Sequence, residues 1–512
     1  MEGTGFKSIF VFLLLALLAF VAGSLASDSA RDALVPSLIV VGLFFLVFLG
    51  KNCWALVLIL PPILQVLEFP ILQKFPVVGA LSAVMLFYWF IMSVLGYVKF
   101  TWNGNKYVDA ALLIFFAYFL FTWVRHPVTV LALVSKTDFS VTEVGGQDYI
   151  FCLGAICYYL FLSVIPLKLE SVLKVLKIAF WVSLVVTIFV CVKGLVFGSS
   201  TQAELMESAT SSRFGAFAPL SLKICYFLFA KYTFIGIIMS PWKLFLVLGA
   251  FIGIALSGYR SYFMQIAVYI TVAALVHKNI LHLLFVAIFA WAGCLFFANE
   301  DVVDKLPYGI QRVLSSVPGI EIESSITREA EGSLKWRYQM WEWAFNPSTG
   351  YIKDYTFGDG YGYSLIRHQS RQVAAGFGLL SLGDNRLFAQ DGQWHSGYIT
   401  TIHRIGYVGL FFLCVLMIVG IINSLRVCFV IKFYKRGEYA LVSLLDVLPY
   451  GVSFFLSAGT LTAFFNMSVH YAILSKVISS ILYRNGEMLP MFKKTEYVPM
   501  IQSNNRGNIS NA

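Results

Sequence analysis

Charge is scarce in this chain of 512 residues: Asp, Glu, Lys and Arg make up 12% of it, against 59% hydrophobic residues. With a mean hydropathy of +0.79, that scarcity excludes a soluble globular protein of this length. Internal repeats and low-complexity tracts are lacking too. The eight cysteines, at 53, 152, 157, 191, 225, 294, 414 and 428, all lie within or beside apolar segments. None falls between residues 299 and 394, so the polar part of the chain has no material for disulfides or a thiolate metal site. Cysteine here reads as a small buried apolar residue.

What the chain has instead is long apolar segments. A membrane span needs about 20 apolar residues, and about fourteen candidates are centred near residues 17, 42, 59, 87, 115, 157, 183, 225, 249, 269, 288, 413, 449 and 471. The third, at Pro61-Pro62, is short and open to being a broken helix. Lys7, Ile9 to Val21 and Ser24-Leu25-Ala26 resemble a signal peptide; we read them as an uncleaved first span. The expected fold class is an all-α polytopic membrane protein with one large polar loop. Residues 1–298 form an N-terminal bundle of about eleven spans and 299–394 the loop with short helices. Residues 395–485 hold the C-terminal spans and 486–512 a cytoplasmic tail.

Lys and Arg in short loops set orientation. Lys51, Lys99, Lys106, Lys168, Lys174, Lys177, Lys231, Lys243, Lys278, Arg426, Lys432, Lys435, Arg436, Arg484, Lys493 and Lys494 all fall on one side if the N-terminus is cytoplasmic. The large loop is then extracytoplasmic, facing the periplasm. This distribution also accounts for the net charge of +10 without a nucleic-acid partner.

On the outer side stand a few basic and aromatic residues. Arg213 precedes the span near 225, and Arg260 sits in the short Ser257-Gly258-Tyr259-Arg260 hinge, which holds its guanidinium at the membrane edge. Such an arginine is either an interfacial anchor or a working cation facing a cavity. Ser333 is expected to cap a helix from Leu334 to Ala344 that places Trp336, Met340 and Trp343 on one stripe and Arg337 with Trp341 on the next. Its tryptophans are either packing residues or a wall for stacking sugars, a role open to Trp394 and Tyr361 as well. The glycines of Phe357-Gly358-Asp359-Gly360-Tyr361-Gly362 suit tight turns, and their context argues against a nucleotide loop. His395, in Trp394-His395-Ser396-Gly397-Tyr398, opens the next membrane helix; its neutral imidazole is available as a proton acceptor. No outer cluster has convincing metal-ligand spacing, so neither metal nor cofactor is expected.

Together these residues resemble the O-antigen ligase/O-antigen polymerase family of bacterial GT-C-type membrane glycosyltransferases. The matching pieces are Arg213 with Gly215, Phe217 and Pro219; Ser257-Gly258-Tyr259-Arg260; Arg337 with Trp341; the Gly358–Gly362 turn; and His395-Ser396 followed by Gly406 and Gly409. They cover mainly residues 210–425, and Leu220 departs from the Asn that many members carry. The resemblance implies a GT-C-like fold in the bacterial inner membrane with its active site facing the periplasm. The implied donor is an undecaprenyl-diphosphate-linked glycan; the acceptor is a glycan (polymerase, slightly favoured) or lipid A-core (ligase), and a chain-length regulator is an implied partner. Arg260, Arg337 and Arg213 would bind the diphosphate through guanidinium forks in place of a metal, and His395 would activate the acceptor hydroxyl for inverting transfer.

Two other readings compete. Asp28 and Asp32 are spaced to hold a divalent cation for a metal-dependent sugar transferase, although Arg31 between them favours surface pairing. A lipid-linked oligosaccharide flippase also fits the many spans; the large loop and the lack of repeat symmetry argue against it.

Overall fold

The computed structural model describes residues 54–66, 77–128, 143–144, 146–197, 217–257, 259–277, 324–364, 394, 396–431, 438–456 and 461–486, with isolated positions between 284 and 315. The described chain is helical: α1 Trp54–Val66, α2 Val77–Val94, α3 Lys106–Arg125, α4 Gly146–Val164, α5 Leu169–Phe197, α6 Phe217–Lys231, α7 Phe234–Ile238, α8 Pro241–Ser257, α9 Arg260–Val276, α10 Ser324–Phe345, α11 Gly397–Ile431, α12 Glu438–Leu445, α13 Val447–Leu456 and α14 Leu461–Arg484. Beside them stands a two-residue antiparallel pairing of β1 (Glu143–Val144) with β2 (Tyr363–Ser364). The expected segments centred at 17, 42 and 288 lie outside the described residues; a helix covers each of the others. At Pro61-Pro62 the short α1 continues as helix.

Among the described residues four stretches are long and apolar enough to cross a membrane: Lys106–Arg125, Leu169–Val192, Gly397–Ile431 and Glu438–Phe455. A helix satisfies its own backbone groups where no water can. Phe87, Phe90, Phe189, Phe245 and Phe411 point outward and are more than half exposed, an apolar exterior that suits lipid. Inside, α11 packs against α3, α12, α13 and α14, and Phe119 stacks on Phe465 with ring centroids 5.5 Å apart. α2 meets α4 at Gly79 and Gly154, where a Cβ on Gly79 would stand 2.2 Å from the other Cα; only glycine permits that approach.

The contacts sort the helix ends into two sets. At one end Lys231 stands 3.8 Å from Glu438, Lys177 lies over Tyr439, and Arg484 bonds the Trp102 carbonyl. We refer to this as the basic end. Lys476 is enclosed there, paired with Asp109 at 2.7 Å, between the rings of Trp102 and Tyr159. Trp102 and Tyr159 donate to the same carboxylate at 3.1 and 3.3 Å, as a buried ion pair requires. The opposite end carries the polar loop.

Candidate functional site

At the loop end, α11 is broken at Gly406, with φ 70° and ψ −179°. That break leaves the carbonyls of His403 and Arg404 without their helical donors and the amides of Tyr407 and Val408 without their acceptors. The turn at 354–360 supplies all four partners. Asp359 N donates to the His403 carbonyl (2.8 Å) and Gly360 N to that of Arg404 (3.0 Å). Tyr407 N and Val408 N donate to the carbonyls of Tyr355 and Thr356 at 2.8 and 3.1 Å. The remaining carbonyl, of Ile405, accepts from Tyr118 Oη of α3 at 2.7 Å. Gly358 and Gly360 have positive φ, 82° and 76°; a Cβ on Gly358 would meet the Gly406 amide at 2.5 Å. The expected tight turns are therefore present, and their role is to fit a backbone against a broken helix.

Side chains hold the turn in place. Asp354 Oδ1 accepts from the amides of Thr356 and Phe357, and Asp359 from those of Lys353 and Asp354. Arg125, the last residue of α3, pairs with Asp354 at 2.9 Å and bonds the Gly358 carbonyl. Asp359 Oδ2 faces His403 Nε2 at 3.6 Å. The Trp394 indole donates to His403 Nδ1 at 3.1 Å, so the proton of the neutral imidazole belongs on Nε2, toward Asp359. Trp341 Nε1 in turn donates to the Trp394 carbonyl at 3.3 Å. A connected path therefore runs from α3, through the turn and the kink, to the loop helix α10.

α10 begins at Ser324, not near Ser333, which lies in its interior; the capping expectation is corrected, because the helix continues N-terminally beyond the serine. Met340 and Ala344 are fully buried in a small cluster with Ile352, Trp394 and Ile399, flanked by Trp341, Trp343, Tyr351 and Tyr398. Arg337, one turn before Trp341, is partly buried, and that burial lowers its pKa from the ordinary arginine value. Trp341 retains partial exposure against Tyr398 and Tyr338. Trp394 and Tyr361, candidates for sugar stacking, are 0% and 3% exposed. Their rings are enclosed here and offer no face to a ligand; Tyr361 instead packs on Tyr149 and Phe119. The Trp336 side chain lies outside the described residues.

The remaining candidates are placed in part. Arg260 opens α9 directly after the hinge, as expected; its side chain lies outside the described residues. Five residues on, Gln265 donates to Ser453 of α13 at 2.7 Å. The neighbouring Phe454 contacts the Gly397 position, where a Cβ would lie 2.4 Å from its ring. The start of α9 and the start of α11 therefore flank the same tip of α13. Arg213 and His395 lie outside the described residues. On either side of His395, Trp394 and Ser396 are both fully buried, and Ser396 Oγ has no hydrogen-bond partner among the described residues.

No family model, no curated protein and no solved structure matches this chain. Among the described residues no group of three His, Cys, Asp or Glu is placed to hold a metal ion. Arg125, Asp354 and Asp359, which hold the turn in place, were not legible as site residues in the sequence. Arg125 carried the one available signal, a basic residue closing an apolar span at the end where the charge rule places few.

Proposed function

We propose that the protein is an inverting, metal-independent glycosyltransferase that moves an undecaprenyl-diphosphate-linked glycan onto an acceptor hydroxyl at the periplasmic face of the bacterial inner membrane. About fourteen spans place the loop outside, following the Lys and Arg distribution. The observation that carries the reading is the gathering at the loop end. There the helix bearing Arg337 is bonded through Trp341 to Trp394, beside His395, and Arg260 starts the helix that flanks the same α13 tip. Arg260, Arg337 and Arg213 bind the diphosphate and take up its developing charge. His395 accepts the acceptor's proton as the hydroxyl attacks the anomeric carbon, and undecaprenyl diphosphate leaves. Trp341 and Trp336 offer stacking faces to sugar rings. Polymerase is slightly favoured over ligase.

The test is transfer by purified protein from lipid-linked donor, with product length read on a gel. Activity that persists in excess EDTA supports the reading; loss with rescue by Mg²⁺ or Mn²⁺ returns it to the Asp28/Asp32 alternative. A second reading, transport of a lipid-linked oligosaccharide, draws support from Asp446. This carboxylate lies between α12 and α13 and accepts from Tyr471 Oη at 2.6 Å, and ionisable groups at such depth commonly mark pathways. Flipping of a fluorescent donor in liposomes without covalent product would favour it.

A further inference from the structure

We propose that the second half of α10 is seated in the headgroup interface of the bilayer at the loop end, with Tyr338, Phe345 and Tyr398 turned toward lipid. At 3.6 residues per turn this part of the helix divides into three sectors. Arg337, Met340, Trp343 and Ala344 form the one packed on the protein: Met340 and Ala344 are fully buried, the other two half-buried. Lys335, Gln339, Glu342 and Asn346 are exposed on another side. Between these sectors Tyr338, Trp341 and Phe345 follow one another at steps of three and four. Tyr338 and Phe345 are 62% and 39% exposed. Trp341 fills the space between Tyr338 and Tyr398, with ring centroids 5.3 and 6.1 Å away. A helix between protein and water needs only a packed face and a polar one. The third, uncovered aromatic sector marks contact with a further phase, and Tyr and Trp are residues of membrane interfaces.

Depth identifies that phase as lipid. Two spans measure it from the basic end, through a hydrocarbon core of about 30 Å. Arg125 is about 28 Å along α3 from Lys106, at about 1.5 Å per residue. It pairs with Asp354 of the turn, and Tyr355, the next residue, donates from Oη to the Ala344 carbonyl at 2.7 Å. Phe454 is about 24 Å from Glu438 along α12 and α13, and its ring borders Gly397, directly before Tyr398. Phe345 in turn stacks on Tyr398, ring centroids 6.4 Å apart. Both routes bring the end of α10 to the far edge of the core, where headgroups begin. Tyr407 and Phe411, farther along α11, are exposed and continue the surface into the apolar exterior of the bundle. A saccharide fits this sector less well, because Phe345 and Tyr398 already turn a ring face to each other. The placement does not rest on the function proposed above; it leaves Arg337 on the protein side and Trp341 half enclosed.

The test is photocrosslinking of the full-length protein in vesicles of phosphatidylethanolamine and phosphatidylglycerol. The photoreactive residue benzoylphenylalanine replaces Tyr338, Phe345, Gln339 or Glu342 one at a time, and adducts are identified by mass spectrometry. Positions 338 and 345 should yield phospholipid adducts, and positions 339 and 342 none above background, because they belong to the polar sector. At 338 and 345 one aromatic ring replaces another, which keeps the sector apolar. A second measurement needs no variant: a photoactivated carbene dissolved in the lipid phase should label Tyr338 and Phe345 of the unmodified protein and spare Gln339 and Glu342. Equal lipid adducts at all four positions overturn the proposal. So do adducts at 338 and 345 that form only with an added oligosaccharide or with the protein's own peptides, and so does an unlabelled α10 in the unmodified protein.

Discussion

Replacing Gly406 by alanine should undock the loop from the membrane bundle. At φ 70° and ψ −179° the backbone occupies a region essentially reserved for glycine, and a side chain there costs about 1–3 kcal/mol. Space is lacking as well: the new Cβ would stand 2.3 Å from the Thr356 carbonyl oxygen and 2.5 Å from the Phe357 carbonyl carbon. Both are backbone atoms of the docked turn, which must therefore move. Moving it breaks the four hydrogen bonds that Asp359, Gly360, Tyr407 and Val408 donate across the kink, each worth about 1 kcal/mol. The combined local cost is about 5–7 kcal/mol, with a tenfold change in opening for every 1.4 kcal/mol. Hydrogen exchange followed by mass spectrometry on peptides spanning 353–361 and 403–410 should show protection reduced by about a hundredfold or more. Amides at the basic end, such as Asn103 and Tyr232, should exchange as in wild type. Unchanged protection of Tyr407 and Val408 in the alanine variant would refute the claim that this glycine is required for docking.

Asp109→Asn or Lys476→Met alone should destabilise the bundle by about 3–5 kcal/mol, since each leaves a buried charge without its partner; the double variant should recover much of the loss in thermal unfolding, and additive losses would count against a coupled pair. Arg337→Ala should abolish glycan transfer and Arg337→Lys should recover little, because a point charge does not reproduce the guanidinium fork; full activity in either would reduce Arg337 to a packing residue. His395→Ala should lose transfer while still retaining the lipid-linked donor in a binding assay. If His403→Ala is inactive and His395→Ala is not, the base is misassigned.

The sequence alone determined the material of the fold. Apolar runs near membrane length leave the backbone no satisfied conformation but the helix, so helices stand at all the expected centres that fall among the described residues. The end of α8 at Ser257 and the start of α9 at Arg260 were equally legible, because a short polar break between two apolar runs is a local signal. Tertiary structure alone decided what the loop rests on. Nothing near Trp394 in sequence indicates that its indole would be buried against His403, or that Asp354 would find its cation 229 positions away at Arg125. Gly406 was visible as a residue but not as a break in α11, because the turn that satisfies the broken helix lies some fifty residues upstream. The same holds for Lys223 and Lys476. Each reads as a stray charge in an apolar run, and only packing shows that one meets hydroxyls and the other a carboxylate between two aromatic rings. Local patterns fix secondary structure because backbone hydrogen bonding is satisfied within each segment; the partner of an isolated polar side chain is fixed only when the segments pack.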